Sequence, residues 1–445
     1  MYEVRQNKEK VSRVINYRMM KNMKCFPICR CETTNVVKST FMNRFNSLVC
    51  QRLTIFQPGY ASGDMFSIAA TLINDPNADV IISKIDKTDK RDPLKSIVDF
   101  YISSGIKRDK IHCVDSNCNW KDEAFRIECI KRRISKNKMV EDGDITHVDG
   151  GTKYVAKNFS MDMREKIRTA WKVDASKDNE IGEWLEKKGI PKTGKSVLIL
   201  WSRFSGKQGE AHLEHDSSYT GIKQIAQSAV ELQYDVILIV GDSGYSPQKN
   251  QKYEAIANGI NSTYQAAKVY NLTEFWKNDD SKIWEGNTRI GQFKLYDYLN
   301  RHYNVAVHLG FRSGNLEAMA LLGYKVLYME EPNSIGGKRM EAWHNKGNGK
   351  TTEGGMAPGY ERLIVSQPPT RSGKFIVDPL FSLSGRDRMH PYWGNRAQNS
   401  GRPFYIKKYN KGFENEDIQQ IKHSLLYMNT SLPYYRWEDW AEYSD

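Results

Sequence analysis

Three short stretches combine charge, hydroxyls and glycine in the order that anion-handling chemistry uses. The first is Gly310-Phe311-Arg312-Ser313-Gly314-Asn315, which ends an apolar run and leads into Leu316-Glu317 and a helical pattern. Arg312 can grip a phosphate through two parallel N–H donors. Ser313 can cap the following helix and bond an oxygen, and Gly314 lets backbone approach a ligand closely. Glu317 falls in the first helical turn, where two roles fit it: a carboxylate suited to the helix dipole, or an acceptor for ribose hydroxyls.

The second stretch is "WSRFSGKQGEAHLEHDSS" (201–218), with Arg203 and Lys207 supplying charge to a nest of Ser202, Ser205 and Gly206. Its His212-x-x-His215-Asp216 fits an ordinary surface loop, metal ligands or a general base. A metal would need a third ligand that the sequence does not place. The third stretch runs from Gln57 to Gly63-Asp64. Asp64 opens a helix there, and fits equally an N-terminal cap and a general base acting on an acceptor hydroxyl. A fourth, "VILIVGDSGYSP" (236–247), sets Gly241 and Asp242 at the end of an apolar run.

The scaffold that must hold these loops is an alternation of short apolar runs with amphipathic ones. Strands are expected at 52–57, 78–83, 110–114 and 144–149, with helices at 65–74, 92–105 and 120–135. Residues 160–190 are charged and helical, and "IPKTGK" (190–195) is a linker. A second alternation follows. Strands are expected at 196–201, 234–241, 267–272, 304–310 and 324–330, with helices at 219–233, 249–260, 289–303 and 314–323. Strands separated by helices of this length form βαβ units and parallel sheets. The expected fold is therefore α/β, with two Rossmann-like domains facing a cleft. Residues 1–50 are a basic N-terminal arm, 51–190 the first domain and 195–365 the second. Residues 366–445 are a tail whose helix at 415–428 is placed to cross back onto the first domain.

Composition narrows the partners. A formal charge of +13 over 445 residues favours a phosphate-bearing or polyanionic ligand, without choosing between a nucleotide and a nucleic acid. Seven cysteines, all among the first 129 residues, make no disulfide framework and point to a reducing, cytoplasmic compartment. Cys25-x3-Cys29-x-Cys31 has no second Cys/His pair at finger spacing. No apolar run approaches the 18 residues a spanning helix needs.

On these residues the chain resembles GT-B glycosyltransferases, and within them a heptosyltransferase-like branch. Gly63-Asp64 matches the Gly-Asp that opens the first helix of that branch. Ser313-Gly314-Asn315-Leu316-Glu317-Ala318-Met319-Ala320-Leu321-Leu322-Gly323 is similar to its C-terminal Ser-Gly loop and helix. The resemblance implies that Asp64 is the base and that the Ser313-Gly314 loop contacts a nucleotide diphosphate. Arg312 departs from the pattern, standing where an acidic residue is usual.

The expected function is a metal-independent transfer of a sugar from a nucleotide-sugar donor to an acceptor hydroxyl or other nucleophile. Asp64 or His215 would take the proton. Arg203, Lys207, Gly241, Arg312, Ser313, Gly314, Asn315 and Glu317 would line the donor site. No metal or other cofactor is expected, since no DxD motif stands out and cationic side chains can meet the leaving diphosphate instead. Two other readings stay open: a basic nucleic-acid-binding protein without catalysis, and a sugar-nucleotide epimerase on the same fold.

Overall fold

A computed structural model describes residues 53–59, 61–83, 93–114, 145–146, 148–204, 215, 217–243, 249–264, 268–330, 340–344, 356–365 and 412–429. The 1–50 arm, the helix expected at 120–135, and Lys207 and His212 lie outside them.

The first half builds β1 (Thr54–Pro58), α1 (Met65–Asn74), β2 (Asp79–Ser83), α2 (Pro93–Ser103), β3 (Ile111–Val114) and β4 (Ile145–Thr146). Then come α3 (Asp149–Asn158), α4 (Met161–Ala170) and α5 (Asp178–Lys187). Its four strands are parallel in the order β3-β2-β1-β4. The expected strand at 144–149 shrinks to two residues because Asp149 already opens α3, a helix that the pair Gly150-Gly151 hides as a helix-breaking signal. Both glycines are there for packing. A Cβ on Gly151 would lie 3.0 Å from the Ile68 backbone nitrogen, and one on Gly150 would overlap Thr146. So α3 lies against α1 at backbone distance, and Thr71 Oγ1 donates to the Gly151 carbonyl across it at 3.3 Å.

The second half builds β5 (Gly194–Ser202), α6 (Tyr219–Glu231), β6 (Val236–Gly241), α7 (Lys249–Thr263) and β7 (Lys268–Asn271). It continues with α8 (Arg289–His302), β8 (Tyr303–Phe311), α9 (Gly314–Leu321), β9 (Lys325–Glu330), β10 (Tyr360–Ile364) and α10 (Asn415–Met428). All six strands are parallel, in the order β10-β9-β8-β5-β6-β7. Runs such as "VLILW" and "VILIV" are continuously apolar because both faces of a parallel sheet are covered. Along β5 the faces alternate: Val197, Ile199 and Trp201 join a core shared with the first half, and Leu198 and Leu200 join a core under α6, α7 and α10.

The tail helix corrects its expected placement. Ile421, Leu425 and Met428 of α10 enter the second half's own core, Tyr234 Oη donates to the Leu425 carbonyl at 2.9 Å, and Lys422 pairs with Glu231. It does not cross back onto the first half. Its apolar stripe matches the face of α6, which the linear order of the sequence could not reveal.

Aromatic rings and one buried carboxylate join the halves. Trp171 packs on Phe293 of α8 at 5.0 Å between ring centres, with Phe66 of α1 and Phe100 of α2 around them. Asp297 of α8, 2% exposed, accepts from Arg168 of α4 (2.8 Å), Arg301 (2.7 Å) and Tyr324 (2.9 Å). Three donors on one buried carboxylate satisfy the charge that burial would otherwise penalise. No helix among the described residues is long and apolar enough to cross a membrane.

His308, in the middle of β8, is fully buried and takes the Trp201 indole N–H on Nδ1 at 3.2 Å. Burial pushes its pKa down to about 3, and burial together with Arg362 pushes His344 down to about 4. An unfolded histidine protonates near pH 6.5. Between there and about pH 3 the unfolded chain therefore binds protons that these folded side chains refuse, and stability falls as pH falls. Urea unfolding at stepped pH is expected to show this slope below pH 6.5, with a shallower one in His308→Gln. Equal slopes in the two proteins would remove His308 from the account.

Candidate functional site

The order β10-β9-β8-β5-β6-β7 reverses direction between β5 and β8, and ligands of open α/β sheets sit in the crevice outside the carboxyl ends of the strands at such a reversal. Strand β5 delivers Ser202 and Arg203 to that point, and β8 delivers Arg312. The loop leaving β5 returns to the same place. Arg203 N donates to Ser217 Oγ at 3.1 Å, Ser217 N donates to the Arg203 carbonyl at 2.8 Å, and His215 is buried beside them.

His215 and Arg312 meet across the reversal, with Arg312 Nη2 donating to His215 Nε2 at 2.8 Å. A guanidinium has no acceptor, so this His215 nitrogen carries the lone pair and the ring proton sits on Nδ1. That contact engages the nitrogen a base would need, and gives His215 the work of orienting Arg312. On its other side, Arg312 Nε lies 3.0 Å from Glu330 Oε2, and the Arg312 amide donates to the Met329 carbonyl at 3.2 Å. Arginine in place of an acidic residue thus fits its surroundings: a buried carboxylate waits for it at the end of β9.

Ser313 caps α9, its Oγ accepting from Leu316 N at 3.4 Å, with extended backbone at φ −158°. The Ser313 amide donates to Tyr360 Oη at 3.2 Å, and the same hydroxyl donates to the Ser313 carbonyl at 3.4 Å. Burial first, and then Glu317, hold the Tyr360 phenol well above its ordinary pKa, so it keeps the proton that bond requires. Asn315 Oδ1 accepts from Arg289 Nη1 at 3.2 Å, and Glu317 is 3% exposed on the inner face of α9.

Two glycines receive structural reasons. Gly241 has φ +91°, and a Cβ there would lie 2.2 Å from the Ser202 carbonyl oxygen, so only glycine allows β5 and β6 to part where they do. Asp242 follows. Its Oδ2 accepts from Phe204 N at 3.0 Å; burial raises its pKa, with that hydrogen bond and then Arg203 opposing. At Gly314 the Cβ position lies 2.1 Å from the Gly63 carbonyl oxygen. The close approach anticipated at Gly314 is therefore made by the first half's loop, where a phosphate was expected. The same contact brings Asp64 to the lip of the crevice. Asp64 occupies the N-cap position of α1 without a side-chain cap bond, and its charge adds to burial in raising the neighbouring Tyr101 phenol.

The structure thus brings together Arg203, His215, Gly241 and Arg312 to Glu317 around one reversal, with Gly63-Asp64 against it. Glu330, Arg362, Arg289 and Tyr360 stand at this site without having been expected from the sequence. Glu330 had left a signal, a carboxylate closing the otherwise apolar "KVLYM"; Arg362 and Tyr360 lie on "YERLI", whose mixed polarity hid a strand.

No family model matches the chain, and no curated protein matches it. Solved structures do. A glycosyltransferase from Rickettsia africae is 13% identical, covering 85% of this chain and 98% of its own at a TM-score of 0.33. The E. coli ADP-heptose lipopolysaccharide heptosyltransferase II is 8% identical, covering 80% and 99% at 0.31. Anabaena HepE, in complex with UDP-glucose, is 10% identical, covering 85% and 100% at 0.29.

Proposed function

We propose that the chain is a metal-independent glycosyltransferase of the GT-B kind, moving a sugar from a nucleotide-sugar donor to an acceptor nucleophile in the cytoplasm. The second half takes the donor and the first half the acceptor. One observation carries the reading: an arginine stands at the strand-order reversal, its guanidinium fixed between Glu330 and His215. A fixed guanidinium at the crevice favours a phosphoryl oxygen, and stabilises the charge that develops as a diphosphate leaves. Arg203, across the reversal, is the second source of positive charge. Asp64 takes the acceptor proton.

The test is thermal stabilisation by UDP, GDP and ADP, followed by hydrolysis of the matching sugar nucleotides with and without EDTA. One nucleoside diphosphate is expected to raise the melting temperature, by the linkage of binding to folding. Arg312→Ala is expected to weaken it about 10- to 100-fold, the loss of a hydrogen-bonded charge contact. EDTA is expected to leave hydrolysis unchanged. If none of the three nucleotides shifts the transition, while single-stranded nucleic acid binds with a steep salt dependence, the reading fails and a nucleic-acid-binding role replaces it.

A further inference from the structure

Glu330 closes β9 with a fully buried side chain, and its two carboxylate oxygens are divided between two arginines from different strands. Oε2 lies 3.0 Å from Arg312 Nε, and Oε1 lies 2.5 Å from Arg362 Nε. Arg312 arrives from the end of β8, and Arg362 from β10, where it pairs with Tyr328 of β9, two residues before Glu330. Side chains at 328 and 330 share a face of β9, and those at 360 and 362 share that face of β10. Tyr328 and Tyr360 stack there at 4.1 Å, forming a rigid floor below the charged groups. In both ion pairs the nitrogen that approaches Glu330 is Nε. The carboxylate is inaccessible, while the arginine side chains are 12% and 20% exposed.

We propose that Arg362 is a further anion-binding residue of the crevice, besides Arg203 and Arg312, and that Glu330 is the positioning residue that sets it beside Arg312, so that this pair holds two linked phosphoryl groups. A single arginine would serve a monophosphate as well as a diphosphate. Two guanidinium groups set beside one carboxylate select for the diphosphate, because each of two linked phosphoryl groups meets its own positive charge. The position fits such a ligand. Two residues ahead of strand β10 meet the first half: Trp343 Nε1 donates to the Thr152 carbonyl at 3.1 Å, and the Pro358 carbonyl accepts from Arg164 Nη2 at 3.3 Å. The pair therefore stands near the seam between donor and acceptor halves.

This inference rests on the proposed donor site for its location, and its test separates the two. Calorimetry on the full chain uses inorganic pyrophosphate and inorganic phosphate as probes, then UDP, GDP and ADP with their monophosphates. The unaltered chain is expected to prefer pyrophosphate over phosphate. Arg362→Ala is expected to weaken pyrophosphate and the bound nucleoside diphosphate roughly 10- to 100-fold, while the monophosphate changes by no more than about twofold. Arg362→Lys is expected to recover only part of the loss, since lysine restores charge without the planar guanidinium. Glu330→Gln is expected to reduce the diphosphate-to-monophosphate ratio; a merely structural role would weaken both ligands alike and leave that ratio in place. Nucleotide binding that Arg312→Ala removes and Arg362→Ala leaves intact overturns the arginine pair and keeps the donor site. Pyrophosphate binding lost in Arg362→Ala, with no nucleotide bound by the unaltered chain, keeps the pair and overturns the donor reading. Binding of neither probe overturns both.

Discussion

Gly314→Ala is expected to destabilise the folded chain by about 3 kcal/mol, although alanine is the better residue for a helix start. Introducing a methyl group at the first position of α9 would by propensity alone be neutral or favourable by a few tenths of a kcal/mol. Against that stands the Gly63 carbonyl, whose oxygen, carbon and α-carbon lie 2.1, 2.8 and 2.8 Å from the new Cβ. All three are backbone atoms, so no side-chain rotation relieves the overlap, and one loop must move. Overpacking at well-ordered sites typically costs 1–3 kcal/mol, and a backbone-on-backbone clash belongs at the upper end. Gly63→Ala is the matched control, because its own Cβ position has nothing within 4 Å. Denaturant unfolding of the two variants beside the unaltered chain decides the matter. A destabilised Gly314→Ala with a near-neutral Gly63→Ala supports the loop contact; two near-neutral variants would show that the halves do not meet there.

That contact also marks where sequence reading stops. Strands β5, β6 and β8 and helices α8, α9 and α10 were legible because continuous apolar runs, a Ser cap and a closing glycine are local signals. The reversal of strand order was not local. Nothing in Arg312 or Ser202 announces that β5 and β8 are neighbours, although the alternation of runs does announce a parallel sheet. Gly314 shows the ambiguity most plainly. A glycine at a helix start is consistent with close approach by any backbone or ligand, and only the packing of α1 against α9 says that Gly63 is the partner. Glu330 shows the converse. A buried carboxylate at a strand end demands a cation, yet two arginines 18 residues before and 32 after it share the task, and their convergence depends on β8, β9 and β10 lying side by side. His215 was legible as a functional candidate from its loop, while its actual neighbour belongs to another strand.

Asp64→Asn is expected to reduce sugar transfer by about 10²- to 10⁴-fold, the range of a positioned general base, while leaving stability and donor binding close to unchanged. The expectation depends on Asp64 being more than a helix cap. A capping aspartate accepts from an N–H of the first turn, and replacing it loses about 1 kcal/mol. Asp64 stands at the N-cap of α1 with no such side-chain bond, so the isosteric amide removes charge without removing a cap. Its surroundings suit a carboxylate that works at a crevice. Gln57, at the end of β1, holds the loop by donating to the Ala61 carbonyl at 2.8 Å, and accepts from Tyr101 Oη at 2.5 Å. Burial, and then the Asp64 charge, keep that phenol protonated, so Tyr101 remains a donor at neutral pH. Asp64 therefore sits on a loop braced from below, next to a contact that fixes its distance from α9. His215, the other candidate base, already spends its Nε2 lone pair on Arg312. The decisive measurement is the split between donor affinity and turnover. Asp64→Asn should leave the nucleotide-induced melting shift in place and lose transfer, whereas His215→Gln should weaken the nucleotide, through Arg312, before it alters turnover. Unimpaired transfer in Asp64→Asn would return the residue to the role of loop scaffold and shift the search for the base elsewhere in the first half.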